Sequence, residues 1–224
     1  MRLKNTLPID TYYQDKAMKE SDEFLVYRFS RGPVAQRHYG DLLHAFMDSG
    51  LAPPNLAQDI TSGNDGQLWA HLWEAMLYRY LSGLSFTFRR NGVRKSGQRG
   101  PDFGIIHEGQ TVWIQAVTPS PEGVPEEWLA SPTRGKSRVK TMPHEQMLLR
   151  WISVLKDKRD VLARYADKKI IAATDCTVIA VNSCRLSDFP GDDHGISQLP
   201  FAVEAVFPSR PLSGSNHTRW PSRG

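Results

Sequence analysis

The sequence predicts an α/β protein with a central mixed β-sheet flanked by helices, and three observations predict it. Residues 103–106 and 111–117 are short apolar runs, and His107-Glu108-Gly109-Gln110 between them has the polarity and the glycine of a tight hairpin connection. Two longer stretches, opening near Asn64 and near Pro143, repeat apolar residues every three or four positions, the period of a helix with one buried face. After the second of them, Thr177-Val178-Ile179-Ala180-Val181 is a continuous apolar run, as expected of a central strand.

At 224 residues the chain is long enough for one well-packed domain, and a second would be small. The expected division is an N-terminal extension packed on the core (1–63), a main domain (64–208) and a disordered tail (209–224) rich in Ser, Arg, Pro and Gly. A hydrophobic content of 40% beside 23% charged residues describes a soluble globular protein rather than a disordered one. No apolar run approaches the length that spans a bilayer, and MRLKNTLPIDTYYQDK lacks the apolar core of a signal peptide. Cys176 and Cys184 are spaced for neither a zinc site nor an obvious staple, so reduced thiols and a cytoplasmic setting are expected. There are no internal repeats.

In chain order, Phe24-Leu25-Val26-Tyr27-Arg28-Phe29 reads as an edge strand ended by Arg31-Gly32-Pro33. Tyr39, Leu42, Leu43, Phe46 and Met47 give residues 36–50 a helical pattern closed by Gly50, and Ala52-Pro53-Pro54 breaks the chain after it. His38 and His44, six residues apart, do not share a helical face as ligands would and read as structural. The next helix has Asn64 as N-cap and Gln67 as its capping-box partner. Its apolar stripe is Leu68, Trp69, Leu72, Trp73, Met76, Leu77, Tyr80 and Leu81, and Gly83 stops it. Leu84-Ser85-Phe86-Thr87-Phe88 alternates as a strand. In the hairpin that follows, Val112, Ile114 and Ala116 fall on one face and Trp113, Gln115 and Val117 on the other. Residues 119–143 read as a long loop or flap. The second long helix starts near Pro143 and runs through Met147, Leu148, Trp151, Ile152, Leu155, Val161, Leu162 and Tyr165 to about Lys168. Residues 186–198 form an acidic, glycine-containing loop whose spacing matches no calcium site. Phe201-Ala202-Val203-Glu204-Ala205-Val206-Phe207 is a last strand candidate.

Three polar residues stand out against this apolar frame. Asp102 opens the first hairpin strand behind Pro101, and Gln115 lies late in the second, so an antiparallel pair brings both within reach of one shared ion. Glu74 sits beside the apolar stripe of its helix, where a carboxylate is either solvated or aimed at something positive; on the helix alone, solvation is the expectation. Arg150, Ser153, Lys156, Lys158 and Arg159 border the stripe of the long helix, with solvation again the default for each lysine. Arg89, Arg90, Arg94, Lys95 and Arg99 crowd the segment before the hairpin, and Arg134, Lys136, Arg138 and Lys140 crowd the loop after it. Two basic loops beside one candidate site, in a chain of formal charge +4, would attract a polyanion, nucleic acid first. Merely solvated loops are the plain alternative.

The order of helix with Glu74, strand, Pro-Asp strand, hairpin, long helix and strand, with the string PDFGIIHEGQTVWIQAV, resembles the PD-(D/E)xK nuclease superfamily over roughly residues 64–182. More narrowly, it is similar to uncharacterised bacterial members in which acid-Ala-Val replaces acid-x-Lys. The resemblance implies a restriction-endonuclease-like core for residues 64–208. It matches Asp102 to the aspartate of the motif and Glu74 to the helical glutamate that often precedes it. Gln115 stands where the second acid belongs, and Val117 where the lysine belongs. Arg150 and Lys158 match an arginine and a lysine that recur on the following helix.

That resemblance implies hydrolysis of DNA phosphodiesters with Mg2+ or Mn2+, a reaction that needs an ion to activate water and a cation to offset developing charge. Asp102, Glu74 and Gln115 would be the metal donors, Glu74 directly or through water, with the Ala116 carbonyl as a further donor and Lys158 or Lys156 in place of the missing lysine. Arg94, Lys95, Arg99, Lys136, Arg138 and Arg150 would hold the substrate. Gln115 keeps a carbonyl acceptor but lacks a full negative charge, which weakens the hold on a divalent ion. The alternative is a catalytically inactive nucleic-acid-binding or protein-interaction member of the same fold. Taken by itself, Gln115 also reads as an ordinary polar residue on the exposed face of a strand, and a third reading of the chain is an unrelated α/β protein with a chance Pro-Asp hairpin.

Overall fold

The computed structural model describes residues 18–25, 28, 32–89, 100–130, 140–186 and 199–207. In chain order they form α1 (residues 18–25), α2 (Pro33–Asp48), α3 (Leu56–Thr61), α4 (Asp65–Gly83), β1 (Thr87–Phe88), β2 (Phe103–His107), β3 (Gln110–Val117), α5 (Glu126–Leu129), α6 (His144–Asp167), β4 (Cys176–Val181) and α7 (Phe201–Val206). The expectation of a mixed sheet with helices holds: the four strands lie in the order β1-β2-β3-β4, the first two pairings antiparallel and the last parallel.

The hairpin turns on two residues. Glu108 and Gly109 both adopt positive φ, 50° and 78°, as in the type I′ turn whose twist matches that of the strands it joins. The turn sets the register, which opposes Phe103 to Ile114 and Ile105 to Val112. Gly104 has a second reason to be glycine: a Cβ there would lie 2.7 Å from Cζ3 of Trp113, whose ring covers it.

Alternation along β3 then assigns a helix to each face of the sheet. Val112, Ile114 and Ala116 join Phe103 and Ile105 in a core shared with Leu68, Leu72, Ala75, Leu77 and Leu81 of α4. Leu42, Leu43 and Phe46 of α2 and Leu56 and Ile60 of α3 complete that layer. On the opposite face Trp113 packs with Ile179, Leu162 and Tyr165, the last two from α6. Phe103 is fully buried, a contribution of about 2–3 kcal/mol for such a side chain. Met147 and Trp151 of α6 close a third cluster with Val124, Trp128, Leu186 and Phe201.

Asn64 caps α4 as its sequence predicts, its Oδ1 accepting from the N–H groups of Gly66 (2.8 Å) and Gln67 (3.3 Å). The expected reciprocal bond from Gln67 takes another route: the Ser62 hydroxyl donates to Gln67 Oε1 at 2.7 Å and accepts from the Asn64 N–H at 3.2 Å.

Four local expectations are corrected. The segment read as an edge strand at Phe24–Phe29 begins inside α1, because Ser21 and Leu25, four apart, are the residues buried together. The strand expected at 201–207 is α7, with Phe201 and Glu204, three apart, on its buried side. β4 lies at the end of the strand order instead of its centre, and its first three residues are exposed. Thr87–Phe88 is all that forms of the strand expected from Leu84, the chain before it turning through Ser85 at φ 60°. Helix α3 has no counterpart in the expected order. Both cysteines are free, and among the described residues no helix is long and apolar enough to cross a membrane.

Candidate functional site

The site is built where β2 stops being a strand. Pro101 has no N–H to offer the ladder, and one residue on the register carries Asp102 directly opposite Gln115. The Asp102 carboxylate takes over as acceptor: its Oδ2 receives the Ala116 backbone N–H at 2.8 Å and the Gln115 Nε2 at 2.5 Å. Both side chains belong to the face of the sheet that carries Trp113 and α6, since Phe103, Ile114 and Ala116 on either side of them point to α4. The other amide atom of Gln115, Oε1, is buried and accepts no hydrogen bond from the described residues. Leaving a buried acceptor unmet costs about 1–3 kcal/mol.

Lys158 stands on the inner side of α6, on the stripe that runs through the buried Met147, Trp151, Val154 and Leu162, and is itself half-buried. Because β3 and β4 are parallel, α6 between them runs back along the sheet. Leu162 packs at Trp113. Four helical residues rise about 6 Å and two strand residues about 7 Å, so Lys158, one turn back from Leu162, comes level with Gln115. Lys156, by contrast, is exposed.

Arg150 is committed locally. Its Nε donates to the Ser120 carbonyl and its Nη2 to the Ser120 hydroxyl, both at 2.7 Å, fastening the segment after β3 to α6. Arg89 lies against the hairpin, its Nη1 donating to Thr111 at 2.8 Å and its guanidinium 5.3 Å from the Trp113 ring. Arg94, Lys95, Arg99, Lys136 and Arg138 lie outside the described residues, as do Arg90, Arg134 and the glycine-containing acidic stretch at 187–198.

Glu74 corrects the expectation of a solvated carboxylate. Glu74, Asp102 and Gln115 are only 7%, 8% and 6% exposed. Glu74 Oε2 lies 3.2 Å from His71 Nδ1, and His71 Nε2 lies 3.1 Å from Asp59 Oδ2 on α3. Asn55 Nδ2 donates to the same Asp59 oxygen at 2.5 Å. Burial pushes the His71 pKa down, but hydrogen bonds and charge from Glu74 and Asp59 outweigh it and leave it raised. Next to Glu74, the Trp73 indole N–H donates to the Ala180 carbonyl at 3.0 Å, and Ala180 is the β4 partner of Ala116. The stretch of α4 that carries Glu74 therefore lies at the level of Ala116.

The structure thus joins Asp102 to Gln115 and ties Glu74 to His71 and Asp59. Sequence reasoning missed both of those partners. The His71–Glu74 spacing of three is that of one helical face and was available as a signal; Asp59 was not, because it sits on the unexpected α3. Among the described residues, no group of three or more His, Cys, Asp or Glu side chains is placed to hold a metal ion. For a divalent ion the donors at Asp102 are its carboxylate and the orphaned Gln115 Oε1, a hard-oxygen set that suits Mg2+ or Mn2+. No protein-family model, curated protein or solved structure matches the chain.

Proposed function

We propose that the chain has a restriction-endonuclease-like core and is a metal-dependent nuclease-like protein acting on DNA phosphodiesters, weakened by Gln115 at the second acid position. The observation that carries this reading is the cross-strand pairing of Asp102 with Gln115 beside a buried, unmet amide oxygen. Asp102 and Gln115 Oε1 would hold the ion, and Lys158, level with Gln115, would offset charge on the phosphoryl group; Glu74, on α4 behind the opposite face of the sheet, is bound to His71 instead. When bound, Mg2+ or Mn2+ supplies Lewis acidity and an activated water. The chain's own part is to fix Asp102 through the Ala116 N–H and to keep the pair away from bulk solvent.

A second reading, a nucleic-acid-binding protein without cleavage, is favoured by one specific feature. The Gln115 amide already donates to Asp102, so the carboxylate is compensated without any ion. Plasmid cleavage with Mn2+ separates the two, using wild type, Asp102→Ala and Gln115→Glu. The nuclease reading expects cleavage by wild type that Asp102→Ala abolishes and Gln115→Glu raises. Cleavage in Gln115→Glu alone, or in none of the three, moves the binding reading ahead.

A further inference from the structure

β4 ends the strand order on one side, and the phase of its ladder decides which of its backbone groups are used. The Asn182 N–H donates to the Val117 carbonyl at 2.9 Å. In a parallel ladder every second residue turns both its N–H and its C=O to the same neighbour, so Cys176, Val178 and Ala180 face β3 as Asn182 does. Thr177, Ile179 and Val181 turn theirs outward, and among the described residues nothing hydrogen-bonds to those groups. β4 also lacks the charge, proline or bulge that protects an edge strand.

The helix beside that edge is bare on the same side. The Thr118 hydroxyl donates to the Trp69 carbonyl at 3.3 Å and the Trp73 indole to the Ala180 carbonyl at 3.0 Å, so α4 runs antiparallel to β3 and β4. Met76, Tyr80 and Leu84 continue the Trp69–Trp73 stripe at helical spacing and descend along the first half of β4. No described strand lies beyond β4 for them to cover. Tyr80 is accordingly 65% exposed, Val178 on the α4 face of β4 is 44% exposed, and Met76, Leu84 and Cys176 are exposed with them.

We infer that β4 is a self-association edge: a second copy of this chain adds its own β4 antiparallel across a two-fold axis, joining the two sheets into one. An axis normal to the sheet keeps each face continuous, so α4 and its copy lie together on one side of the junction. The stripes of Met76, Tyr80 and Leu84 then meet above the joined strands, and Val178 gains a neighbour on its open side. A second copy fits the edge better than another stretch of the same chain. Residues 187–198 are broken by Pro190, Gly191 and Gly195, and residues 208–224 by Pro208, Pro211 and Pro221. Thr177-Val178-Ile179-Ala180-Val181 is rich in β-branched residues and uncharged throughout, so two copies meet without like charges opposite each other.

Sedimentation velocity on the full chain, without nucleic acid and over about 1–100 μM, tests this. Wild type is expected to sediment as a species of twice the 25.3 kDa of one chain. Thr177→Pro removes an outward N–H and leaves the β3 ladder whole, so it should fold and weaken the dimer at least about 10-fold. Tyr80→Glu, at an exposed helix position that leaves the core alone, sets two carboxylates at the junction and should weaken the dimer likewise. Ile106→Glu, equally an exposed apolar position but two strands away on β2, should leave it unchanged. A wild type that stays monomeric overturns the inference. So does a dimer that survives Tyr80→Glu, or a Thr177→Pro chain that folds and still dimerises.

Discussion

At position 115 an amide does what an acid could do only with help. The Gln115 Nε2 donates to Asp102 at 2.5 Å, so one negative charge is shared among donors in a site closed to solvent. A glutamate there would set two carboxylates at that separation, and one of them must then hold a proton or a cation. Gln115→Glu is therefore expected to lower stability at neutral pH by about 1–3 kcal/mol, a fall of roughly 3–10 °C in melting temperature for a chain of this size. The sign with pH follows. The carboxyl that keeps the proton titrates above its unfolded value, so the loss is present at neutral pH and shrinks as pH falls toward the ordinary carboxylate range. Mn2+ should restore the melting temperature at pH 7 as acid does at lower pH. Calorimetry that finds the variant as stable as wild type at pH 7 without metal would mean that the side chain at 115 turns away from Asp102.

Elements meet at a few directed bonds, and Trp113 makes one of them. Its indole N–H donates to Asp175 at 2.8 Å, and the Ala172 N–H donates to the same oxygen at 2.9 Å, fastening the approach to β4 onto β3. The Trp113 bond holds the Asp175 carboxyl below the usual range; partial burial pushes the other way, and the Ala172 N–H and Arg89 add to the lowering. A depressed carboxyl contributes stability that is present at neutral pH and lost as pH falls through its folded value. Trp113→Phe keeps a ring but removes the donor, so the Asp175 pKa should climb toward that of an ordinary aspartate. Carbon-detected titration of the carboxyl reads this directly, and an unmoved titration curve would assign the lowering to the remaining neighbours. How legible each element was follows from how much of its burial lay within its own window. The hairpin, α4 and α6 carry their pattern over many residues, and their faces were readable. The windows read as strands at Phe24–Phe29 and Phe201–Phe207 are short enough to fit either period, and the choice belongs to the cores that bury Leu25 and Phe201. The Asp102–Gln115 pair was legible because turn and alternation fix a register. Burial of Glu74 was not, because part of its compensation comes from another helix.

At the scale of the whole molecule, the formal total of +4 conceals two segments of the sequence that are strongly basic. Residues 90–99 hold four cations and no carboxylate, and residues 131–139 hold three cations and none. The first segment runs into Gly100, two residues before Asp102. The second returns at Lys140, whose Nζ donates to the Trp128 carbonyl at 2.5 Å, while the Trp128 indole donates to Leu186 at 2.8 Å. Trp128 shares its cluster with Val181, the β4 partner of Val117, two residues beyond Gln115. Both stems therefore spring from the end of the sheet where Asp102 and Gln115 meet. If the two segments engage a phosphate backbone, affinity must fall with salt, at about 0.9 in log K per decade of salt for each phosphate neutralised on a duplex. Replacing Arg94, Lys95, Arg99, Lys136 and Arg138 together by alanine should then reduce that slope by roughly 4–5, measured by fluorescence anisotropy on a labelled duplex from about 50 to 200 mM salt. Asp102→Ala should leave the slope as it is, since it removes no cation, while abolishing cleavage. A slope that survives the fivefold substitution would locate the phosphate contacts on other surfaces and detach the basic segments from the site. Loss of the slope with cleavage absent in every variant would instead leave a backbone-binding protein whose carboxylate is already satisfied by its own glutamine.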